Sequence, residues 1–467
     1  MTIEEELARL RAEKLELERE LAETRRELAE ARQMITLLEQ RISELEQGSN
    51  NDPPMYGKAN RSKPEGPKQP RKKRAPHQNN ARRREAPTRV VEHTHDRCPE
   101  CRYRLCGESL NYSRQVIELP EPQPVEVIEH RVIKRYCPRC QRWQSPKLDL
   151  TGQVLGRGRF GVRLASLIAT LRIPLRLPLE PIVDYLKTFH QLTISEGEIV
   201  YLEKQMYEAT KGAVEGLKLG VQRSRIVHGD ETGWRENGQN GYIWTFSTPG
   251  ENAIRYYEYD RSRSQAVVRR LLGEDFRGHL VSDFYVAYND YGCKKQRCWP
   301  HLLRLMHKRK VKHPDNAEVL GWTQGVRGLY DEAEEWVRDN PSSSQEARES
   351  KYVSLVARIH EFGLKYAQAK KHPCRGLCKL VLRHEDELFQ FVLVQGLASN
   401  NNLAERSLRP LVVVRKISGG SRSETGSKVR MALASLFGTW QARGLNPFAE
   451  CLALLSRAPP AIPSVAS

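Results

Sequence analysis

The sequence predicts a multidomain chain of mixed α+β and α/β class. It combines an N-terminal coiled coil, a small cysteine-bearing β module, a helical region and an α/β core carrying a helical insertion. Three observations predict this. A heptad seam runs through the first 45 residues, two Cys-x-x-Cys pairs follow at 98–101 and 137–140, and from residue 225 short aromatic and β-branched runs alternate with helical patterning. At 467 residues the chain is long enough for two or three domains. Its 76 Lys and Arg outnumber 58 Asp and Glu, a formal charge of +18 that favours a polyanionic partner. No apolar run reaches the roughly 18 residues of a membrane span, and "MTIEEELARL" lacks the charged-then-apolar order of a signal peptide. The expectation is a soluble, cytoplasmic, nucleoid-associated protein without a membrane partner.

Residues 1–48 form the first segment. Leu7, Lys14, Leu21, Leu28, Ile35 and Ile42 share one heptad position, and Leu10, Leu17, Thr24, Ala31, Leu38 and Leu45 share another. Ten of these twelve are apolar, so the seam needs a partner helix and predicts self-association through a coiled coil. Residues 49–94 form a basic linker. Within 58–89, twelve Lys and Arg face only Glu65 and Glu85, a balance of +10 with almost no apolar content. Its runs Arg71, Lys72, Lys73, Arg74 and Arg82, Arg83, Arg84 are either a DNA-neutralising arm or a solvated tether.

Residues 95–150 carry Cys98, Cys101, Cys137 and Cys140. Four thiolates in two knuckles make the tetrahedral sulfur shell of a closed, structural Zn²⁺ site. The alternation in "VEVIEHRVIKRYCPRC" predicts a hairpin that returns the second knuckle to the first. Residues 151–222 read as helical. There "LPLEPIVDYLKTFHQLTISEGEIVYLEKQM" gives helix, turn, helix, with Ser195 and Glu198 at capping-box spacing. This is a DNA-binding helix-turn-helix or an ordinary helical hairpin.

Residues 223–445 hold the chemistry. "RIVHGD" is a strand ending in Asp230, "GYIWTFST" and "AIRYYEYD" are two more, "SRSQAVVRRLLGEDF" is a helix, and "GHLVSDF" is a fourth strand ending in Asp283. "KKQRCWPH" is a possible fifth strand. The order β-β-β-α-β-(β)-α is that of a ribonuclease-H-like domain, in which the first and fourth strands are neighbours. That arrangement brings Asp230 beside Asp283. A third carboxylate comes from "NNLAERSLRP", where Asn401, Glu405 and Arg409 share a helix face. Residues 302–398 form a helical insertion, and 446–467 a C-terminal helix and tail. Taken singly, each acid also suits a turn, a cap or an intrahelical pair.

The motifs "HGDETGW", "SDFYVAYN", "CWPHLLR" and "NNLAERSLRP", in this order behind the two knuckles and the coiled coil, resemble insertion-sequence-66 family transposases of the DDE class. The chain departs from that family after Arg415 and Lys416, where an aromatic-containing run is missing. The resemblance implies a catalytic triad of Asp230, Asp283 and Glu405 holding Mg²⁺ or Mn²⁺. It further implies His301 as a phosphate contact, while Arg409, Arg415 and Lys416 read from the residues as either DNA-backbone contacts near the site or ordinary surface charge. The implied activity is binding of element ends, then metal-dependent phosphodiester hydrolysis and strand transfer. The implied partners are end and target DNA, a second copy of the chain and helper proteins encoded by the element. Two other readings remain open from the sequence: a non-catalytic, dimeric, zinc-containing DNA-binding regulator, and a structure-specific nuclease on the same fold. Glu231 reads as a bystander to Asp230, pointing to the opposite face.

Overall fold

The computed structural model describes Lys14 and residues 85–156, 158–289 and 291–457. The coiled coil of 1–48, the clusters Arg71–Arg74 and Arg82–Arg84, and the tail after 457 lie outside the described residues. The chain divides into two compact units, Met1–Glu118 and Leu119–Ser467. The expected 95–150 module straddles this division, so its two knuckles belong to different units.

In the first unit, the Cys98 carbonyl accepts from Arg102 N–H at 2.9 Å, and Cys98 N–H donates to Tyr103 O at 2.9 Å. Arg102 takes a left-handed φ of 60° to close this turn. In the second unit, strands β1 (Arg135–Cys137) and β2 (Arg142–Gln144) pair antiparallel around the other knuckle. Cys140 N–H points at Cys137 Sγ, 3.4 Å away. The hairpin is therefore local to Cys137–Cys140, and the expected strand through 125–134 does not form. "LPEPQP" removes backbone donors, and Ile117, Leu119 and Val127 stand more than 80% exposed, with no sheet to pack against.

Helices α1 (Val162–Arg172), α2 (Leu179–His190) and α3 (Glu196–Gln222) follow. Ser195 caps α3 in a full capping box with Glu198. Ile199, Leu202 and Met206 of α3 turn inward to Ile168, Ile182 and Leu186 of α1 and α2. A second apolar set, Val429, Leu433 and Phe437, joins this cluster from a helix introduced below.

Next comes a five-stranded sheet in the order β5-β4-β3-β6-β7. Its strands are β3 (Ile226–Glu236), β4 (Gln239–Ser247), β5 (Arg255–Asp260), β6 (His279–Ser282) and β7 (Lys294–Arg297). β3, β4 and β5 are antiparallel, whereas β6 runs parallel to both β3 and β7. Helix α4 (Gln265–Leu272) provides the crossover from β5 to β6. The first and fourth strands of the core are therefore neighbours, as expected.

β3 does not end at Asp230. Its antiparallel ladder with β4 continues from Asp230↔Thr245 to Glu236↔Gln239. The hairpin turns at Asn237–Gly238, with φ of 48° and 77°, the left-handed pair of a two-residue turn. What stops near Asp230 is the parallel ladder with β6, whose last pair is His228↔Val281.

Helices α5 (Trp299–Lys312), α6 (Ala317–Asp339), α7 (Gln345–Ala367), α8 (Arg375–Leu388) and the single turn α9 (Gln390–Leu393) close around their own core of Trp299, Trp322, Val326, Ile359 and Phe389. The chain then returns to the sheet through α10 (Asn402–Ser418) and α11 (Glu424–Ala442), and ends in α12 (Pro447–Leu455). Leu408, Leu411 and Val414 of α10 bury against Trp234, Ile243 and Tyr257 of the sheet. α11 is the helix that lends Val429, Leu433 and Phe437 to the α1–α3 cluster, while its Met431 and Ala434 join the sheet-side cluster.

The turn between α10 and α11 is tied to the end of β3. Ser421 N–H donates to Arg235 O at 2.9 Å, and Asn237 N–H to Ser421 O at 2.8 Å. Gly420 sits at φ 121°, where a Cβ would fall on the Arg235 carbonyl. Gly420→Ala should cost roughly 1–3 kcal/mol in chemical denaturation. Gly419→Asn, at φ 72° with open space around a Cβ, should cost less. Equal losses for the two would show that the close approach to β3 is unimportant.

Candidate active site

Extending the β3–β6 register two residues beyond His228↔Val281 sets Asp230 opposite Asp283, at the point where the parallel pairing has stopped. Released from that ladder, both carboxylates project at the carboxyl end of the paired region. Asp230 Oδ1 accepts from Glu231 N–H at 3.0 Å, and Asp283 Oδ1 from Tyr285 N–H at 2.8 Å. Arg297, fully buried at the end of β7, fixes the Asp283 main chain. Its Nη1 donates to the Asp283 carbonyl at 2.7 Å, Nη2 to Asn289 Oδ1 at 2.8 Å, and Nε to Glu387 Oε2 at 2.6 Å. Burial raises the Glu387 carboxyl, but hydrogen bonds from His384 and Arg297 and the Lys295 charge outweigh it and bring it down to about 2. That carboxylate stays ionised as the counter-ion Arg297 needs.

Glu405 arrives from α10, one turn past the N-cap residue Asn401. Asn401 is buried, and its Nδ2 donates to the Gly229 carbonyl at 2.8 Å while its Oδ1 meets His228 Nδ1 at 3.3 Å. Its N–H donates to Cys298 Sγ at 3.2 Å, and Cys298 N–H to Ser282 O at 2.9 Å. The start of α10 is thus bonded to β3 beside Asp230 and, through Cys298, to the end of β6 beside Asp283. His301 Nε2 and Arg304 Nη2 of α5 approach Glu405 Oε1 at 4.0 and 3.7 Å.

The electrostatics record the convergence. Asp230 is pushed up to about 8, by burial first and then by the charges of Glu231, Asp283 and Glu405. His228 is lowered to about 4, chiefly by burial, and so meets Asn401 as a neutral ring. Burial and then the Arg304 charge lower His301. The thiol of Cys298 is raised to about 11 by burial.

Glu231 does point away from Asp230 along the pleat, but it is no bystander. It is buried, Arg263 Nη2 donates to its Oε1 at 2.6 Å, and Tyr288 OH donates to its Oε2 at 2.6 Å. Burial raises its carboxyl, and the Tyr288 and Arg263 bonds oppose the rise. Its charge is the first named neighbour raising Asp230. Arg263, Tyr288 and Arg297 are not singled out by the sequence, where Glu231 reads as a bystander. They act through contacts across 57, 32 and 14 residues, and spacing carries no sign of these.

The remaining expected residues are distributed as follows. Arg409 and Lys416 are exposed on α10, while Arg415 Nη1 binds Thr232 Oγ1 at 3.3 Å and also the Gly233 carbonyl, which ties α10 to β3. Cys98 and Cys137 each have a lowered thiol, held down first by the backbone N–H of Cys101 and of Cys140 respectively. Lowered thiols under backbone donors suit metal ligation. At the acidic site, Asp230, Asp283 and Glu405 offer an oxygen-only donor set, and the raised Asp230 carboxyl shows negative charge that a divalent cation would relieve. Cys298, His301 and Glu405 also lie within 4.8 Å of one another, a softer set than Mg²⁺ or Mn²⁺ takes.

None of the described helices is long and apolar enough to cross a membrane. In comparisons with known proteins, the chain is 26% identical over 211 residues to an uncharacterized protein, y4qI, of Sinorhizobium fredii, covering 42% of this chain and 38% of that protein. The chain thus spans well under half the length of that relative. A family model described as "Transposase IS66 family" matches residues 157–429, which include β3, β6 and α10 with Asp230, Asp283 and Glu405. By that match over more than half its length, the chain belongs to the IS66 family of transposases.

Proposed function

We propose that the chain binds the ends of an insertion sequence and cuts and joins DNA there with Asp230, Asp283 and Glu405 as the catalytic carboxylates. The single observation that carries this is geometric convergence. The β3–β6 register, extended, sets Asp230 opposite Asp283, and Asn401 bonds the first turn of α10, which bears Glu405, to Gly229 beside Asp230. These acids lie 53 and 175 residues from Asp230 in sequence (283 − 230 and 405 − 230). The strand order β5-β4-β3-β6-β7, with one crossover helix and a late helix returning to the sheet, supports a ribonuclease-H-like core. Family membership supports the transposase role.

In this reading Asp230, Asp283 and Glu405 would together hold hard divalent ions through their carboxylate oxygens. Such ions, when bound, activate an attacking oxygen and stabilise the leaving one in an in-line displacement at phosphorus. Water attacks one phosphorus and its 3′-oxygen leaves as a 3′-hydroxyl, the other product carrying a 5′-phosphate. That 3′-hydroxyl then attacks a target phosphorus and displaces the target's own 3′-oxygen. One P–O bond forms as one breaks, and no covalent enzyme–DNA link is needed. The chain's own groups orient and screen. Asn401 fixes Glu405 against β3, Arg297 fixes the Asp283 main chain, and Arg304 offsets the charge of Glu405. His301, held toward neutrality by burial, is available as a neutral contact to phosphate.

The rest of the proposal concerns binding and assembly. From the sequence, the thiolates of Cys98, Cys101, Cys137 and Cys140 would supply the ligands of a structural Zn²⁺, and the arm at 58–89 and the α2–α3 pair would bind the DNA ends. The heptad seam of 1–48 would join two or more copies.

Asp230→Asn, Asp283→Asn and Glu405→Gln should each lower Mg²⁺-dependent cleavage of end-bearing DNA by on the order of 10³-fold while end binding survives, since several kcal/mol of transition-state stabilisation are removed. Cleavage at the wild-type rate in any of them would remove that residue from the triad. Failure of the wild-type chain to nick or join such DNA would favour a binding-only regulator.

The pH dependence has a defined sign. Asp230 titrates near 8 in the folded chain against an ordinary 3.8, so its contribution to stability is complete below about pH 4 and is lost as pH rises through about 8. Without divalent ions, wild-type protein should therefore melt progressively lower than Asp230→Asn between about pH 4 and 8, with the gap levelling off above that, and added Mg²⁺ should narrow it. A gap independent of pH would contradict the crowded-carboxylate reading.

Cys98→Ser or Cys137→Ser should remove about one equivalent of zinc per chain by elemental analysis. Retention of the full metal content would rule these ligands out.

A further inference from the structure

The basic helix α5 starts at the acidic site. Its N–H at Trp299 donates to Ser399 O at 3.0 Å, and Arg304 reaches Glu405 at 3.7 Å. Trp299–Lys312 contains Arg304, Lys308, Arg309, Lys310 and Lys312 and no acid, a local charge of +5. The next helix of the same subdomain, α6, is opposite in character, with six acids against Arg327 and Arg338. The positive charge is therefore particular to α5 and not general to the insertion.

At 100° per residue, His301, Arg304, Lys308 and Lys312 fall within an arc of about 80°. The three cations among them are exposed, while Leu302 and Met306 bury the opposite side. Among the described residues, Lys308 and Lys312 form no ion pair. Cations in a last helical turn complement the helix dipole, which accounts for Arg309, Lys310 and Lys312. It does not account for Arg304 in the second turn, where the dipole disfavours a cation, or for Lys308.

We infer that this ridge is a backbone track: it takes the phosphates of the duplex leading into the catalytic site, from His301 at the carboxylates outward to Lys312. Eleven residues at about 1.5 Å each give roughly 17 Å, the axial length of about five phosphates on one strand. The contacts are to phosphate oxygens, so the track sets the position of the cut relative to the bound end and reads no bases. This rests on the DNA-cutting function proposed above and deepens it.

The test uses the full chain and a duplex carrying an element end. A Lys308→Ala/Lys312→Ala variant is compared with wild type and with Lys370→Ala/Lys371→Ala, which removes the same charge from exposed positions elsewhere. Binding is followed by fluorescence anisotropy over a salt series without divalent ions, and cleavage is measured with Mg²⁺. The track variant should lose about 1.8 from the slope of log affinity against log salt, at about 0.9 per phosphate contact. It should also show a raised KM for cleavage with kcat little changed, while the control pair keeps the wild-type slope. A track variant with the wild-type slope and KM would overturn the inference, as would an equal loss in the control pair. If wild-type protein binds DNA but does not cut it, the catalytic reading fails while the slopes still decide the track. Thermal melts of both variants, whose changes are all at exposed positions, check that folding is retained.

Discussion

The site depends on one buried amide. Asn401 is satisfied only where α10 begins against β3, because its Nδ2 needs the Gly229 carbonyl and its Oδ1 the neutral His228 ring. Losing either partner would strand a buried polar group, at a cost of about 1–3 kcal/mol. That cost locks the first turn of the helix in place, and Glu405 sits one turn on, bonded through its N–H to the Asn401 carbonyl at 3.2 Å. The hydrogen bond from Asn401 N–H to Cys298 Sγ closes the circuit through the end of β6. Asp230, Asp283 and Glu405 are thus held by elements that share hydrogen bonds and do not merely approach one another.

A second constraint is charge. Burial first, and then the charges of Glu231, Asp283 and Glu405, push the Asp230 carboxyl up to about 8, a rise that a bound cation would oppose. The surrounding cations are spent elsewhere. Arg297 is committed to Glu387 and the Asp283 carbonyl, Arg263 to Glu231, and Arg415 to the β3 main chain. Among the described residues, Arg304 is the one Arg or Lys that reaches Asp230, Asp283 or Glu405 directly, at 3.7 Å from Glu405. The fold stores negative charge where a phosphodiester substrate would bring more, which suits a site that acts with divalent ions bound.

Much of this was legible in the sequence because strand order follows from period and spacing. Alternating aromatic and β-branched runs marked β3, β4, β5 and β6, and the single crossover helix made β3 and β6 neighbours, which was enough to bring Asp230 and Asp283 together. The capping box at Ser195 and Glu198 was equally local and equally readable. What escaped depends on partners that only folding supplies. β3 continues to Glu236 because β4 and Ser421 pair with its far end, although "DETG" reads as a turn. The expected hairpin through 125–134 does not form, and among the described residues no element covers its apolar Val127, Ile128, Val132 and Ile133. The roles of Glu231 and Arg297 appear only when Tyr288, Arg263 and Glu387 surround them.

The hydroxyls of α11 have a consequence for how copies can meet. Ser435 and Thr439 accept the N–H groups of Tyr257 and Arg255 at 2.8 and 3.0 Å, on the outer side of β5. At the opposite edge Gln296 of β7 is engaged by Phe391 N–H at 2.9 Å and by the Leu388 carbonyl at 2.9 Å. Helices of the same chain thus bond to strand N–H groups at the β5 margin and to a β7 side chain at the other, which disfavours growth of the sheet by pairing with a second copy. A second copy would therefore find little free strand edge on this sheet to extend.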